Sequence, residues 1–302
     1  MQAFIEELVS SCRKYTAEGE VATYIPELGK HDKHDLGVYL MTAEGGSYAA
    51  GEWDTPFTMQ SMVKPFLLLL ALKQNGADYI CRQMSVEATG KPFDAINMTD
   101  QKLLREHVNP MVNMGAIELC TMIRGKSVED RFDQLLRFIR TLAGNDSIAL
   151  DERVYLSERA TGNKNKALAY MLKAYGLIEE DPMQVLELYF RACSIRVNCR
   201  DLARMALTLA EHGGQAQQYF TEEQARFVNA ILLTCGMYDG SGEFAVRVGV
   251  PAKSGVSGGI FSVVPGKMGI AIYSPALDKK GNSVAGIRLL EELSAKLKLS
   301  IF

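Results

Sequence analysis

Segments patterned as β-strand lie only near the two ends of this 302-residue chain, and the long stretch between them is patterned as helix. An isolated hairpin is marginally stable, so strands at the two ends are expected to combine. The first strand region is 36–42 followed by 47–51, joined by the hairpin connection Ala43-Glu44-Gly45-Gly46. The second comprises 244–250, 259–264 and 268–273, with Pro265-Gly266-Lys267 as a short turn. These strands are expected to share one antiparallel sheet.

Helical spacing marks the intervening residues. Helices are expected over 60–74, after Thr99 as an N-cap, over 114–123, 128–142, 166–175, 183–193, 202–212 and 222–235, with a capping box from Thr221 and Gln224. A last helix is expected over 284–298, and Phe4, Leu8 and Cys12 mark an N-terminal one. The expected class is α+β: an antiparallel sheet flanked by the terminal helices (1–60 plus 241–302), with an all-helical lobe (61–240) inserted into it. The two make one catalytic unit, with a site in the cleft between them.

Composition narrows the function. A net charge of -3 provides no basic footprint, so nucleic acid is not an expected partner. Residues 1–15 lack the apolar core of a signal peptide, and the longest apolar run, 66–72, is too short to cross a bilayer. A cytoplasmic protein with no membrane partner is expected. The six cysteines contain no C-x-x-C pair and read as free, mostly buried thiols. His31 and His34 sit in a charged run that reads as a solvated loop. No metal-ligand or phosphate-loop motif occurs, so neither a metal nor a nucleotide cofactor is expected.

Five segments carry candidate chemistry. Ser61 and Lys64 open a strongly apolar helix and, three residues apart, share a face. Desolvation lowers a lysine pKa, so a buried Lys64 suits proton removal from Ser61. The spacing alone is weak: Ser11 and Lys14 repeat it on a polar helix, and only Ser61 follows a strand region and heads an apolar one. The run Lys253-Ser254-Gly255-Val256-Ser257-Gly258-Gly259 is almost all small residues and permits close backbone approach to a ligand, or is simply a glycine-rich turn. In Asn109-Pro110-Met111-Val112-Asn113, Asn109 reads as a helix cap with Pro110 at the first position, while Asn113 among apolar neighbours needs a partner, from the core or from a ligand. Ser157 through Asn165 reads as a polar loop, where Glu158 faces Arg159 or a ligand. Tyr238 follows a helix that ends at Gly236.

In chain order, these segments resemble the serine-dependent glutaminase family, which shares its fold with β-lactamases and penicillin-binding proteins. The resemblance rests on Val21-Ala22-x-Tyr24-Ile25-Pro26, Gln60-Ser61-x-x-Lys64, Asn109-Pro110-Met111-Val112-Asn113-x-Gly115-Ala116 and Ser157 through Asn165. It continues through Tyr189-Phe190-x-x-Cys193-Ser194-Ile195, Cys235-Gly236-Met237-Tyr238-Asp239, Lys253 through Gly259 and Leu277 through Val284. It implies hydrolysis of L-glutamine to L-glutamate and ammonia through an acyl-enzyme, without a cofactor, by a homodimer or homotetramer. By the same resemblance Ser61 is the nucleophile and Lys64 its base, and Tyr238 shuttles a proton. The N–H groups of Ser61 and Val256 hold the oxyanion, Tyr24 closes the site, and Asn113, Glu158, Asn165 and Tyr189 hold the amino-acid end.

Two alternatives are a β-lactamase, peptidase or esterase on the same scaffold and a non-catalytic binding protein. The first normally carries S-D-N or Y-x-N, absent here; the second usually loses the nucleophile or base, both present here.

Overall fold

A computed structural model describes residues 1–90, 92–94, 108–211 and 218–302. The helix expected after Thr99, His107 and His212 lie outside the described residues. The strands are β1 (Gly37–Thr42), β2 (Ser47–Gly51), β3 (Phe57–Thr58), β4 (Ala149–Leu150), β5 (Ile195–Val197), β6 (Ala252–Ser254), β7 (Gly259–Val264) and β8 (Met268–Tyr273). The α-helices are α1 (Gln2–Cys12), α2 (Lys64–Asn75), α3 (Ala77–Gln83), α4 (Asn113–Thr121), α5 (Val128–Ala143) and α6 (Glu152–Thr161). They continue with α7 (Asn163–Ala174), α8 (Pro182–Cys193), α9 (Cys199–Ala210), α10 (Glu222–Cys235), α11 (Ser241–Arg247) and α12 (Val284–Leu297).

The two ends of the chain do meet in one antiparallel sheet of order β2-β1-β8-β7-β6. β1 and β8 form the junction, with Val38 opposite Ile272 and Leu40 opposite Ile270. Those four side chains join an apolar cluster with Ile5 and Leu8 of α1 and Leu289 and Leu293 of α12, so the terminal helices cover this face. The other face is covered by α9, which packs on β8, β7 and β1. Phe261, Ala271 and Tyr273 on that side belong to a larger cluster that continues through α2, α4, α5, α8 and α9.

The helices follow their local signals. Asn198 and Asp201 cap α9 reciprocally, Thr221 and Gln224 do the same for α10, and Ser127 caps α5. Three sequence expectations fail. Residues 244–250 do not form a strand, because α11 occupies most of the span. Phe244, Val246, Val248 and Val250 alternate as a strand would, yet the helix buries Phe244 and leaves Val246 88% exposed. Its start is set by Ser241, whose hydroxyl accepts from Met237 N–H and donates to Tyr238 C=O. Residues 157–165 are not a loop, since α6 and α7 run through them with a break at Gly162. Ser61 is not on an α-helix either: Gln60–Val63 is a 3₁₀ turn and α2 begins at Lys64. A small second sheet, β3-β5-β4, was not expected at all.

Close approach of α9 to the sheet depends on Gly269. A Cβ there would sit 2.2 Å from Ala203 O and 2.3 Å from Leu207 N, both backbone atoms that cannot swing away. Gly269→Val is therefore expected to destabilise the protein by about 3 kcal/mol in urea unfolding, as overpacking of a tight contact does. Gly242→Ala, where a Cβ meets nothing within 4 Å, is the matched control and is expected to change stability by less than about 1 kcal/mol.

Candidate functional site

The turn that carries Ser61 is held in an unfavourable conformation. Gln60 has φ 47° and Tyr238 φ 56°, two of the three left-handed non-glycine residues among the described ones. Such backbone costs about 1–3 kcal/mol per residue and persists only where its surroundings enforce it. Here β3 leads into the turn, and Met59 N–H donates to Ile195 C=O of β5. From the other side comes the β6–β7 turn. Gly255 lets that turn approach closely, since a Cβ there would lie 2.8 Å from Met59 O. Val256 is thereby buried beside Ser61, and its N–H donates to no main-chain carbonyl of the described residues.

Lys64 is fully buried at the start of α2. Its Nζ donates to Met111 C=O at 3.0 Å and to Asn113 Oδ1 at 2.7 Å. Burial pulls its pKa down to about 8, partly opposed by the charges of Cys193, Glu158 and Asp94. No direct hydrogen bond joins Lys64 to Ser61, and contacts of this kind often tighten only around bound substrate. Asn113 is the hub of the site: its Oδ1 also accepts from Tyr189 Oη at 3.3 Å, and its Nδ2 donates to Asn165 Oδ1 at 2.9 Å. With both ends of the amide engaged, its orientation is determined.

Glu158 from α6 is buried as well. Desolvation raises its pKa to about 8, against the lowering effects of the Gln60 hydrogen bond and the Lys64 charge. Its Oε2 accepts from Gln60 Nε2 at a long 3.4 Å, and among the described residues no cation forms an ion pair with it. Tyr189 of α8 is likewise buried, and desolvation holds its phenol protonated.

Tyr238 lies on the far side of Ser61. Desolvation raises its pKa, while the hydroxyls of Ser61 and Ser254 act to lower it. Those hydroxyls lie near its oxygen without good hydrogen-bond geometry. Its ring packs against Phe93, 4.6 Å between centroids, and Lys253 Nζ stands 4.4 Å from the ring centre. Lys253 is the second fully buried lysine; its Nζ donates to Ser254 C=O at 2.7 Å, and desolvation together with the Lys64 charge lowers its pKa strongly.

These groups surround a cavity of about 390 Å³ lined by Tyr24, Ser61, Asn113, Glu158, Asn165, Tyr189 and Val256, with Gln60, Phe93 and Cys193. Lys64 lies beneath it. Tyr238 lines the adjoining cavity that shares Phe93. Tyr24 is 57% exposed and stands at the mouth. All nine residues expected at the site are therefore close together. Asn109 departs from its expected part: α4 begins at Asn113, and Asn109 instead folds the loop, accepting from Met111 N–H and donating to Glu87 C=O. His31 is not simply solvated, because its Nδ1 lies 2.8 Å from Tyr273 Oη. Of the cysteines, Cys81 is exposed and the other five are buried. The sequence motifs include Gln60 and Lys253 without a role for either, and Phe93 belongs to none of them. Lys253 was findable by the signal that singled out Lys64, a lysine among small and apolar residues; the φ of Gln60 has no local signal.

A glutaminase family profile matches residues 19–302. The chain is 47% identical to a glutaminase of Clostridium tetani and 47% identical to glutaminase 2 of Clostridium perfringens, each aligned over 100% of both proteins. Among solved structures, a Bacillus subtilis glutaminase in covalent complex with 5-oxo-L-norleucine superposes with a TM-score of 0.90 at 34% identity, covering 100% of this chain and 99% of that one. By sequence and by fold, this chain belongs to the glutaminase family of hydrolases.

Proposed function

We propose that the protein hydrolyses L-glutamine to L-glutamate and ammonia through an acyl-enzyme on Ser61, with Lys64 as the base. The observation that carries this reading is the state of Lys64. A neutral amine has two N–H groups and one lone pair. Met111 C=O and Asn113 Oδ1 take two N–H groups, so the lone pair is left for the Ser61 hydroxyl one turn away. With a pKa of about 8, an appreciable fraction of the lysine is neutral near pH 7.

Ser61 Oγ attacks the side-chain amide carbon as Lys64 takes its proton. The oxyanion accepts from the N–H groups of Ser61 and Val256, donors that need no rearrangement because the 3₁₀ turn and the Gly255 turn hold them. Collapse of the tetrahedral intermediate breaks the C–N bond. The departing nitrogen takes a proton from Tyr238, whose raised pKa keeps it protonated, and Lys64 restores that proton. Water then attacks the ester, Lys64 again acting as base, and releases glutamate.

The other end of the cavity suits an amino acid. Glu158 pairs with the α-ammonium, and that cation supplies the partner the carboxylate lacks within the protein. Asn165, with its Oδ1 engaged by Asn113, presents its amide N–H groups to the α-carboxylate, beside the Tyr189 hydroxyl. Tyr24 closes the mouth over the bound substrate. A Bacillus subtilis relative forms a covalent complex with 5-oxo-L-norleucine, which supports an amino-acid substrate.

Ser61→Ala is expected to lower kcat for ammonia release by at least about 10⁴-fold while leaving the unfolding transition unchanged. In mass spectrometry, 6-diazo-5-oxo-L-norleucine is expected to add to wild type and not to the variant. Near-wild-type turnover by Ser61→Ala would eliminate Ser61 as nucleophile.

The pH dependence has a definite sign. Lys64 must lose its proton to act as base, and Glu158 must lose its proton to bind the ammonium. Both pKa values stand at about 8 in the free enzyme. Consequently log kcat/KM is expected to rise with pH and level off above about 8, with a slope approaching two at low pH. Glu158→Gln removes one of the two ionisations and is expected to reduce the slope to about one. A pH-independent rate between about 6 and 8 would rule out Lys64 as the base.

A further inference from the structure

We propose that Glu187, outside the cavity, is a positioning residue that sets the distance between the ammonium-binding and hydroxyl-bearing helices of the site. The inference rests on the reading of Glu158 given above. Glu158 belongs to α6 and Tyr189 to α8. A polar clasp joins these two helices, and Glu187 is its centre.

The Glu187 carboxylate gathers three donors. Tyr155 Oη of α6 donates to it in a short hydrogen bond, Arg191 Nε of α8 donates at 2.9 Å, and Arg159 Nε of α6 stands 3.4 Å away. The Arg191 guanidinium also lies over the rings of Tyr155 and Phe132, at 5.7 and 5.9 Å. Glu187 and Tyr189 are two residues apart, about 200° around a helix, so the carboxylate points away from the cavity while the phenol points into it. On α6, Tyr155 is one turn before Glu158, and Arg159 follows it directly. A carboxylate on one helix therefore holds the residues flanking Glu158 on the other. The side chain of Glu187 is 20% exposed, so its hydrogen bonds are partly shielded from competing water.

The packing beside this clasp is unforgiving. A Cβ on Gly162, at the end of α6, would lie 2.8 Å from the Phe190 ring of α8. The Phe190 ring against Gly162 limits the helices at the end of α6, and Glu187 limits them along its preceding turns. Loss of the carboxylate leaves the Gly162 contact as a pivot and lets α6 turn about it, which displaces Glu158 relative to Tyr189 and Asn113.

The test compares glutamine with glutaramate, the same γ-amide without the α-ammonium. Glu187→Ala is expected to raise KM for glutamine about tenfold with kcat changed less than about twofold, and to shrink the preference for glutamine over glutaramate by the same factor. Glu187→Gln keeps an acceptor for Tyr155 and is expected to recover part of the loss. Tyr155→Phe keeps the ring beneath Arg191, loses only the hydroxyl and is expected to raise KM about threefold; it carries the test if Glu187→Ala does not fold. An unchanged KM, or equal losses of kcat for both amides, overturns the proposal. Preference lost in Glu158→Gln but kept in the Glu187 variants sinks this inference alone, whereas preference kept in Glu158→Gln sinks the reading of Glu158.

Discussion

Burial of three ionisable groups around one serine is the constraint on which the rest of this structure depends. Lys64, Lys253 and Glu158 are almost wholly removed from water, and none of them forms an ion pair within the described residues. In an ordinary core such groups destabilise the fold unless they pair or lose their charge. Here each is relieved in part: the lysine amines donate to the carbonyls of Met111 and Ser254, and Glu158 accepts one long bond from Gln60. What remains is an environment that favours neutral amines and a carboxylate lacking a cation. Such a set destabilises the protein, and in the function proposed above a zwitterionic amide completes it.

The framework around the site follows from holding that set in place. β3 and the β6–β7 turn press on the Ser61 turn from two sides and enforce the left-handed backbone at Gln60. α4 supplies Asn113, which ties Lys64 to Tyr189 and Asn165 through one amide. α6, α7 and α8 contribute Glu158, Asn165 and Tyr189. Together with the segments of Tyr24 and Phe93, seven separated stretches thus converge on a volume of about 390 Å³. The large apolar cluster that runs through α2, α4, α5, α8 and α9 is what makes the convergence rigid.

Much of this was legible in the residues. The hairpin, the β7–β8 turn, the capped helices and the meeting of the chain ends all follow from periodicity and turn chemistry. The errors share one origin. In 244–250 an alternating pattern lost to a helix started by the Ser241 hydroxyl. In 157–165 polar residues suggested a loop, yet they are helical, and their polarity belongs to the cavity and to the partner helix α8. Asn109 looked like a cap and instead folds the approach to α4. In each case the local signal was real, and the contacts made in the fold decided how it was used.

The sequence by itself determined which chemistry is possible. It placed a serine and a lysine one turn apart at the head of an apolar helix, a run of small residues before a strand, and polar residues where a core expects none. It also carried the ordered blocks that mark the family. Only the tertiary structure decided that Lys64 is buried with two carbonyl partners and a lowered pKa while Lys14 stays exposed, and that Lys253 lies against Tyr238. The reason is physical: spacing along a helix is a local property, whereas desolvation is the sum of everything packed around a group and exists only once the chain is folded.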